Sequence, residues 1–358
     1  MTREPHGPAS IGILGGGQLG RMLSVAASRL GIRTHVFAPD PDPIAGHVAH
    51  RVTTAEYDDE DALRRFAGDV GVVTYEFENI PSAALDVLQA HCEVLPRRNA
   101  LAVSQDRLAE KDFLNEAGLK TARYAACGTE QELVDALDVI GVPSILKTRR
   151  FGYDGKGQVR ITDPGEAGAA WAEVGEAACI VEQAVEFECE ISVIVARSRT
   201  GEVVAFDPGE NVHREGILRT TTVPAGLSGA RAQDAVAIAS TVVSELDYVG
   251  VAGVELFVTA DGLLVNEIAP RVHNSGHWTQ NGCVVDQFEQ HVRAVAGWPL
   301  GDGRRHANVV MTNLIGDEVL DVESLRRDPG VALHVYGKAD VRPGRKMGHF
   351  NRITGGAG

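Results

Sequence analysis

The sequence predicts a mixed α/β and α+β protein whose N-terminal part contains a parallel sheet. The first hundred residues alternate short apolar runs with helical patterns, which is typical of βαβ units. The middle of the chain mixes strands and helices without strict alternation, as α+β domains do. A length of 358 residues is typical of about two to three domains. We place their boundaries at 1–103, 104–300 and 301–358, with a small third domain.

The N-terminal elements follow from the apolar runs. Strands are predicted at 11–14, 34–37, 71–75 and 93–95, and helices at 19–30, 59–66 and 82–91. The loop Gly15-Gly-Gly-Gln-Leu-Gly20 matches the dinucleotide-binding fingerprint, and Asp40 follows about 20 residues later. This pattern is compatible with an NAD-dependent dehydrogenase. Prolines on both sides of Asp40 stiffen its loop, so the dehydrogenase is the minority interpretation.

Capping patterns define the central elements. Ser104 is predicted to cap a helix that runs to about Ala117 and stops at Gly118. Thr129 begins a capping box, and Asp163-Pro164 begins a further helix. The remaining predictions are strands at 143–147, 179–182, 190–196, 249–258 and 263–268 and a long helix at 229–246. The tail after Gly301 is expected to be short and less regular.

Composition excludes several classes of protein. The formal net charge of −15 repels nucleic-acid phosphate, so we expect no nucleic-acid binding. Five cysteines without a C-x-x-C pair argue against a disulfide framework. Cys179 and Cys189 lie in apolar, strand-like runs and are expected to be buried, reduced thiols. The polar N-terminus is unlike a signal peptide, and no run reaches the roughly 20 apolar residues of a membrane span. We therefore expect a cytoplasmic protein without membrane contact.

A glycine-rich loop follows the strand that ends at Lys147. Its sequence, Gly152-Tyr-Asp-Gly-Lys-Gly-Gln158, provides backbone N–H groups and lysine charge for phosphate. It lacks the ending of a Walker A loop, and a plain hairpin tip is the alternative. Further on, Glu182 ends an apolar strand before Gln183-Ala184-Val185, which could meet an adenine edge, and Glu190 could hold a ribose. Taken alone, both glutamates also fit ordinary surface positions.

Glu255 and Glu267 are predicted to face each other across a hairpin. A three-residue loop at 260–262, with Gly262 left-handed, gives this register. Directly opposed Cβ atoms lie about 5 Å apart, so both carboxylates stay ionised only with a cation between them. Oxygen ligands near phosphate favour Mg²⁺. The same face is expected to carry Phe257, Leu263 and Val265.

Two polar segments lie further along the chain. The loop after the hairpin contains Arg271, His273, Asn274 and His277, which can donate to anions. A two-histidine zinc site lacks matching ligands and is discounted. Lys338 and the segment Val341-Arg-Pro-Gly-Arg-Lys346 form a basic patch that suits a ligand phosphate, although a solvated basic loop is the alternative.

Together these motifs resemble the ATP-grasp superfamily and, within it, the N5-carboxyaminoimidazole ribonucleotide synthase family. The resemblance implies a Rossmann-like pre-ATP-grasp domain, an ATP-grasp domain with a lid at about 120–185, and a small C-terminal domain that is expected to be trimmed. The motifs that carry it are Gly-Gly-Gln-Leu-Gly-Arg-Met from 16, Gly-Tyr-Asp-Gly-Lys-Gly-Gln from 152, Gly-Ile-Leu-Arg-Thr from 216, Ala-Pro-Arg-Val-His-Asn-Ser-Gly-His-Trp-Thr-Gln-Asn-Gly from 269, and Arg-Pro-Gly-Arg-Lys from 342.

The resemblance implies a set of site residues. Mg²⁺ is implied at Glu255 and Glu267, and Ala269 stands where many ATP-grasp enzymes carry a further asparagine. Catalytic roles are implied for Lys147 and for Arg271 and Asn274, which would hold bicarbonate and carboxyphosphate. The implied ATP contacts are Arg107, Lys147, Gly152, Tyr153, Asp154, Gly155, Lys156, Gly157, Gln158, Glu182, Gln183, Ala184, Val185, Glu190, His213, Asn266 and Glu267. The implied ribonucleotide contacts are Glu76, Tyr153, Asp154, Lys156, Lys338 and Arg345.

The implied reaction joins ATP, bicarbonate and 5-aminoimidazole ribonucleotide, by way of carboxyphosphate, to give the N5-carboxy product in purine biosynthesis. A homodimer and a separate mutase that receives the product are also implied. Three alternatives are another carboxylate-amine ligase, such as a formate-dependent glycinamide ribonucleotide transformylase, the dehydrogenase above, and a non-catalytic nucleotide-binding regulator. The paired glutamates argue against the last.

Overall fold

The computed structural model describes residues 10–152 and 157–356. The predicted ligand contacts Tyr153, Asp154, Gly155 and Lys156 lie outside these described residues. All five cysteines of the chain are free thiols, in agreement with their number and spacing. Cys179 is buried as expected, but the burial predicted for Cys189 is wrong, because it is only half-buried. Within the described ranges, no helix is long and apolar enough to cross a bilayer.

The N-terminal region forms the predicted parallel sheet, with strand order β3-β2-β1-β4-β5. Every neighbouring pair in it is parallel. Because the carboxyl ends of parallel strands meet at one edge, the first glycine loop and Glu76 come together there. The elements are β1 (Ser10–Leu14), α1 (Gln18–Arg29), β2 (Arg33–Ala38), β3 (Arg51–Thr54), α2 (Glu60–Gly68), β4 (Val72–Tyr75), α3 (Ser82–Gln89) and β5 (Glu93–Val94).

Two helices, α4 (Arg98–Ser104) and α5 (Arg107–Glu116), lead into the central region. The predicted Ser104 cap is wrong, because the Ser104 hydroxyl donates to the Ala100 carbonyl within α4 at 3.0 Å. Asp106 caps α5 instead, by accepting hydrogen bonds from the first-turn N–H groups of Leu108 and Ala109. A carboxylate at this position also complements the helix dipole, which a serine hydroxyl does not.

A four-stranded antiparallel sheet, order β6-β9-β7-β8, forms a separate layer over residues 124–183. Thr129 caps its first helix as predicted, while the carboxylate of Glu132 accepts from the N–H of Gly128. Asp163 begins a 3₁₀ turn that leads into the next helix. The elements are β6 (Tyr124–Cys127), α6 (Glu130–Ile140), β7 (Ser144–Thr148), β8 (Gln158–Ile161), α7 (Ala167–Glu173) and β9 (Cys179–Gln183).

The rest of the described chain forms a nine-stranded sheet, order β15-β14-β10-β12-β13-β16-β18-β17, with β11 beside β10. The expectation of an irregular tail is wrong, because the C-terminal strands continue this sheet through the β13–β16 pairing. The elements are β10 (Cys189–Arg197), β11 (Val203–Ala205), β12 (Gly209–Arg214), β13 (Ile217–Val223), α8 (Gly229–Glu245), β14 (Gly250–Thr259), β15 (Gly262–Ala269), α9 (Thr279–Gly282), α10 (Gln287–Ala296), β16 (Ala307–Ile315), α11 (Glu323–Arg327), β17 (Val331–Val335) and β18 (Lys346–Gly356).

The β14–β15 hairpin pairs Glu255 with Glu267, as predicted. The predicted three-residue loop is wrong, because Thr259 pairs directly with Gly262 and leaves a two-residue connection. A β-bulge between Glu255 and Leu256 leaves Asn266 without a cross-strand partner. This extra residue compensates for the shorter loop, so Glu267 still pairs with Glu255.

The bulge also changes which side chains share a face. Val265 pairs with Leu256, and both belong to the buried core beneath helix α8. Leu263 pairs with Val258 and packs against the same core. The predicted placement of Leu263 and Val265 beside the glutamates is therefore wrong, since the inserted residue reverses the alternation between them and Glu267.

Candidate active site

A cleft of about 610 Å³ lies where the N-terminal sheet, the 124–183 layer and the β14–β15 hairpin meet. Most of the site residues predicted from sequence line it. These are Glu76, Arg107, Lys147, Gly152, Gln158, Glu190, His213, Glu255, Asn266, Glu267, Arg271 and Asn274. The described residues that were predicted but do not line it are Gly157, Glu182, Gln183, Ala184, Val185, Lys338 and Arg345.

The facing glutamates carry poorly compensated negative charge. The Glu255 side chain is 14% exposed, and burial together with the charge of Glu267 raises the pKa of Glu255 to about 8. Arg107 lies near Glu267, with Nη1 3.3 Å from Oε2. His273 Nε2 lies 3.5 Å from Glu255 Oε1, but burial lowers the pKa of His273 to about 3. Because His273 is neutral, Glu255 lacks a cationic partner there.

This pair fits a divalent cation that is shared with a ligand. Within residues 10–152 and 157–356, no group of three or more His, Cys, Asp and Glu side chains is placed to hold a metal. Glu255 and Glu267 thus offer an incomplete set of oxygen ligands. Mg²⁺ suits such a set, because it commonly takes one or two carboxylates and completes its shell with phosphate and water.

Glu182 forms buried ion pairs with two lysines beside the cleft. Its side chain is 3% exposed, and its Oε1 and Oε2 lie 3.1 Å from Lys147 Nζ and 3.4 Å from Lys111 Nζ. Burial opposes ionisation of Glu182, but the two lysines together lower its pKa to about 2. Lys111 also donates to the carbonyl of Asn266, the bulged residue, at 2.7 Å. This carboxylate therefore positions Lys147.

Asp106 joins the start of α5 to the loop after β7. Arg149 donates to its carboxylate from Nε at 2.9 Å and from Nη2 at 2.7 Å. The backbone N–H of Arg107 donates to the Arg149 carbonyl at 2.9 Å. These bonds set Arg107 and Arg149 on one side of the cleft, which both residues line.

The opposite wall carries a carboxylate–imidazole pair. Glu190 on β10 and His213 on β12 are joined through Glu190 Oε2 and His213 Nδ1. Burial opposes protonation of His213, but the bond to Glu190 and the charge of Glu255 raise its pKa above the ordinary value. The pair thus presents a polar edge beside the facing glutamates.

Arg271 and Asn274 line the same cleft and are the candidate anion-binding corner. Glu78 grips the Arg271 guanidinium, with Nη2 donating to Oε1 at 3.0 Å and Nε donating to Oε2. Burial opposes ionisation of Glu78, and Arg271 lowers its pKa to about 2. Both side-chain amide atoms of Asn274 are buried and have no partner in the described part of the chain. An unsatisfied buried amide is costly, so a small polar ligand is expected to complete it.

The first glycine loop surrounds Glu76. The N–H groups of Gly17 and Gly20 donate to its carboxylate, at the helix N-terminus where a dinucleotide pyrophosphate would bind. Burial raises the pKa of Glu76, and these N–H groups oppose the rise. A Cβ at Gly17 would lie 2.8 Å from Glu76 Oε1. The glycines therefore make room for this internal carboxylate, and the fingerprint does not form a dinucleotide site.

The basic patch lies beside Glu76 at the edge of the cleft. Lys338 Nζ donates to the Lys346 carbonyl at 2.7 Å, and Arg345 Nη1 donates to the Asp340 carbonyl at 2.8 Å. Burial and the charges of Arg345 and Lys346 lower the pKa of Lys338 to about 8, while Glu76 opposes this shift. Lys346 is the member of the patch that lines the cleft.

Several site residues were not predicted. Glu78 had an available signal, since it lies three positions after the end of a parallel strand and two positions after Glu76. Lys111 also had one, because it stands four positions after Arg107 on an amphipathic helix. Arg149 continues the basic run that begins at Lys147. No local pattern marked Gln105, which also lines the cleft.

Three family models match the chain. They describe a ribonucleotide synthetase preATP-grasp domain at residues 9–105, an ATP-grasp domain at 112–288, and a phosphoribosylaminoimidazole carboxylase C-terminal domain at 309–356. An N5-carboxyaminoimidazole ribonucleotide synthase of Brucella melitensis is 51% identical and covers 96% of both chains. The synthase of Bacillus subtilis is 43% identical, over 96% of this chain and 90% of its own.

Solved structures agree. An N5-carboxyaminoimidazole ribonucleotide synthetase crystallised with ADP superposes with a TM-score of 0.94 at 41% identity, over 99% of this chain and 94% of that chain. The Aspergillus clavatus synthase in complex with ADP and 5-aminoimidazole ribonucleotide gives 0.91 at 30% identity, over 97% and 94%. The domain order and the relatives agree along nearly the whole length. The chain therefore belongs to the N5-carboxyaminoimidazole ribonucleotide synthase family of ATP-grasp ligases.

Proposed function

We propose that this cleft gathers ATP, bicarbonate and 5-aminoimidazole ribonucleotide, and that Lys147, Arg271 and Asn274 act directly on the reacting groups. The activity is the ATP-dependent carboxylation of the ribonucleotide to its N5-carboxy form, in purine biosynthesis. One observation carries the residue roles. Two facing glutamates, a clamped arginine and an unsatisfied asparagine amide line the same cleft.

The proposed chemistry has two steps. A bicarbonate oxygen attacks the γ-phosphorus of ATP, the bond to ADP breaks, and carboxyphosphate forms. The exocyclic amine then attacks the carboxyphosphate carbon, phosphate leaves with the electrons of the C–O bond, and the nitrogen releases one proton. Such phosphoryl and acyl transfers depend on alignment and charge neutralisation, which matches a cleft lined by Lys147, Arg107, Arg149 and Arg271.

Nucleotide contacts are proposed along both walls. The polyphosphate is expected at Lys147, Arg107 and the 152–158 loop, and the ribose at Glu190 and His213. The Glu182 carboxylate is engaged by lysines, and the N–H groups of Gln183 and Ala184 donate to the Arg123 and Pro143 carbonyls. Adenine is therefore proposed at the remaining backbone groups of 183–185. Mg²⁺ between Glu255 and Glu267, beside Asn266, would neutralise phosphate charge.

The two substrates are proposed at adjacent places in the cleft, because the amine must reach carboxyphosphate and the charge of Arg271 acts on Glu76. Arg271 and Asn274 hold bicarbonate and then carboxyphosphate, because both present donors at one corner. The ribonucleotide contacts Glu76 and the loop residues Tyr153, Asp154 and Lys156, with its phosphate at the patch of Lys338 and Arg345. The positive charges beside Glu76 support this placement.

The proposal also covers the localisation, the oligomeric state and the partners of the enzyme. We infer a cytoplasmic homodimer that uses Mg²⁺ and passes its product to a separate mutase. The net charge of −15 supports small-molecule partners and argues against nucleic acid. Size-exclusion chromatography with light scattering tests the dimer, and a monomeric mass at micromolar concentration would contradict it.

Dependence of ADP release on each substrate tests the function. ADP release is expected to require both bicarbonate and 5-aminoimidazole ribonucleotide. Bicarbonate accepts the phosphoryl group of ATP, and the ribonucleotide amine accepts the carboxyl group of carboxyphosphate. Formate with glycinamide ribonucleotide is the matched control for the rival ligase and is expected to give only background release. Turnover with formate but not with bicarbonate would overturn the proposal, and protection from heat by NAD alone would favour the dehydrogenase.

A further inference from the structure

The protonation of His277 is fixed by its neighbour Gln287. The amide oxygen of Gln287, which is fully buried, accepts the His273 backbone N–H at 2.9 Å. Its amide nitrogen therefore lies on the other side, 2.8 Å from the His273 carbonyl and 3.0 Å from His277 Nδ1. An amide nitrogen offers only hydrogens, so Nδ1 must be an unprotonated acceptor.

The single ring proton of His277 then resides on Nε2. Burial lowers the pKa of His277 well below its ordinary value, which agrees with a neutral ring. No group in the described part of the chain accepts a hydrogen bond from Nε2. His277 is 1% exposed and lines the cleft, so Nε2 is a donor left for a ligand.

The local backbone brings this donor to the anion-binding corner. A 3₁₀ turn spans Asn274–Gly276, and the N–H of His277 donates to the Asn274 carbonyl at 3.1 Å. Side chains three positions apart eclipse each other in a 3₁₀ turn. Asn274, with its unsatisfied amide, and His277 therefore lie on the same side of the turn, and Arg271 lines the same cleft.

We propose that His277 donates its Nε2–H to the oxygen of bicarbonate, and then of carboxyphosphate, that Arg271 and Asn274 hold. This inference rests on the proposed function of the cleft. Because Gln287 occupies Nδ1, His277 cannot take up the proton that the substrate amine releases. It is a neutral, preorganised donor at the place where negative charge develops on oxygen, which is where such a donor accelerates the reaction most.

A purely structural role for His277 predicts a different result. Its ring packs 5.4 Å from Phe288 and 4.7 Å from His349 between ring centroids, so any substitution disturbs packing. Two substitutions separate the roles. In His277→Asn the side-chain oxygen can still accept from Gln287, but nothing reaches the Nε2 position. In His277→Gln the amide nitrogen can reach that position, but the bond to Gln287 is lost.

The test measures kcat/KM for bicarbonate at saturating ATP and ribonucleotide. We expect His277→Asn to lose about 100-fold and His277→Gln to keep most of the activity, with comparable melting temperatures and unchanged ATP affinity in both. An Asn variant as active as the parent, or a Gln variant that is the worse of the two, would overturn the proposal. A parent without bicarbonate-dependent turnover would instead contradict the function itself.

A second measurement is independent of turnover. In protein labelled with ¹⁵N-histidine, the resonances absent from both His277 variants identify this ring among the 12 histidines of the chain. Nitrogen shifts characteristic of the neutral Nε2–H tautomer support the proposal. Shifts of the Nδ1–H tautomer, or of the doubly protonated ring, at neutral pH contradict it whatever the kinetics show.

Discussion

Glu255→Gln and Glu267→Gln are expected to slow nucleotide turnover while making the ligand-free protein more stable. Each substitution removes one of two carboxylates proposed to hold Mg²⁺, and the charge stabilisation that a metal gives is worth several kcal/mol. A loss of roughly 10²–10³-fold in kcat follows. In the free protein, burial and the charge of Glu267 across the hairpin disfavour ionisation of Glu255, which costs stability. Replacing one by a neutral amide of equal size is therefore expected to raise stability by about 1 kcal/mol.

The opposite signs of these effects make the result easy to interpret. A variant that simply misfolds loses both turnover and stability. Glu202→Gln is the matched control, because Glu202 is exposed and lies outside the cleft, so neither quantity should change. ADP release and thermal unfolding, with and without Mg-ATP, provide the measurements. Turnover equal to that of the parent in both site variants would contradict the proposed Mg²⁺ site at Glu255 and Glu267.

The glutamate pair was predicted correctly although its loop was not. A three-residue loop, and a two-residue loop with one bulged residue, both place Glu255 opposite Glu267. The apolar pattern does not distinguish them, because Leu263-Leu-Val265 is an unbroken apolar run that fits either face. The two arrangements differ only in the segment between the loop and the bulge. There Val265 lies on the buried face, and Asn266 has no cross-strand partner.

Strands that are visible as local apolar runs were predicted better than strands whose regularity depends on pairing with residues far away in the chain. The N-terminal strands are short apolar runs bounded by turns, and parallel strands buried on both faces have this appearance. The C-terminal strands alternate buried and half-buried residues, as β16 does. Their regularity depends on pairing with β13, about ninety residues away in the chain, and such non-local contacts leave little local signal.

The site residues show the same contrast between local sequence signals and non-local contacts. Residues within motifs, such as Arg271 and Asn274, could be identified from the sequence, whereas the residues that hold them in place could not. Glu78 grips Arg271 across 193 positions of sequence, and Lys111 reaches the Asn266 carbonyl across 155 positions. These partners are ordinary charged residues until the fold brings them together, so their roles follow from burial and geometry alone.

Glu182→Gln is expected to cause the largest loss of stability. The Lys111 and Lys147 side chains are 2% and 11% exposed, and Glu182 carries the carboxylate that pairs with both. Removing one partner of a buried ion pair leaves uncompensated charge, at a cost of about 3–5 kcal/mol. Glutamine has the same shape, so no cavity contributes to the loss. The exposed neighbour Glu186 provides the control substitution, Glu186→Gln, which should have little effect.

The pH dependence of the same variant provides a second check. The pKa of Glu182 is about 2 in the folded protein, against an ordinary value of 4.5. The folded value is the lower one, so the stability that ionised Glu182 contributes is fully present above pH 4.5 and is lost as the pH falls towards 2. Urea unfolding should therefore show the full gap between parent and Glu182→Gln at pH 7, and a narrowing gap below pH 4.5. Adding Lys111→Met removes the more deeply buried cation and should recover part of the loss. A constant gap across this range, or no recovery in the double variant, would mean that packing rather than charge makes Glu182 important.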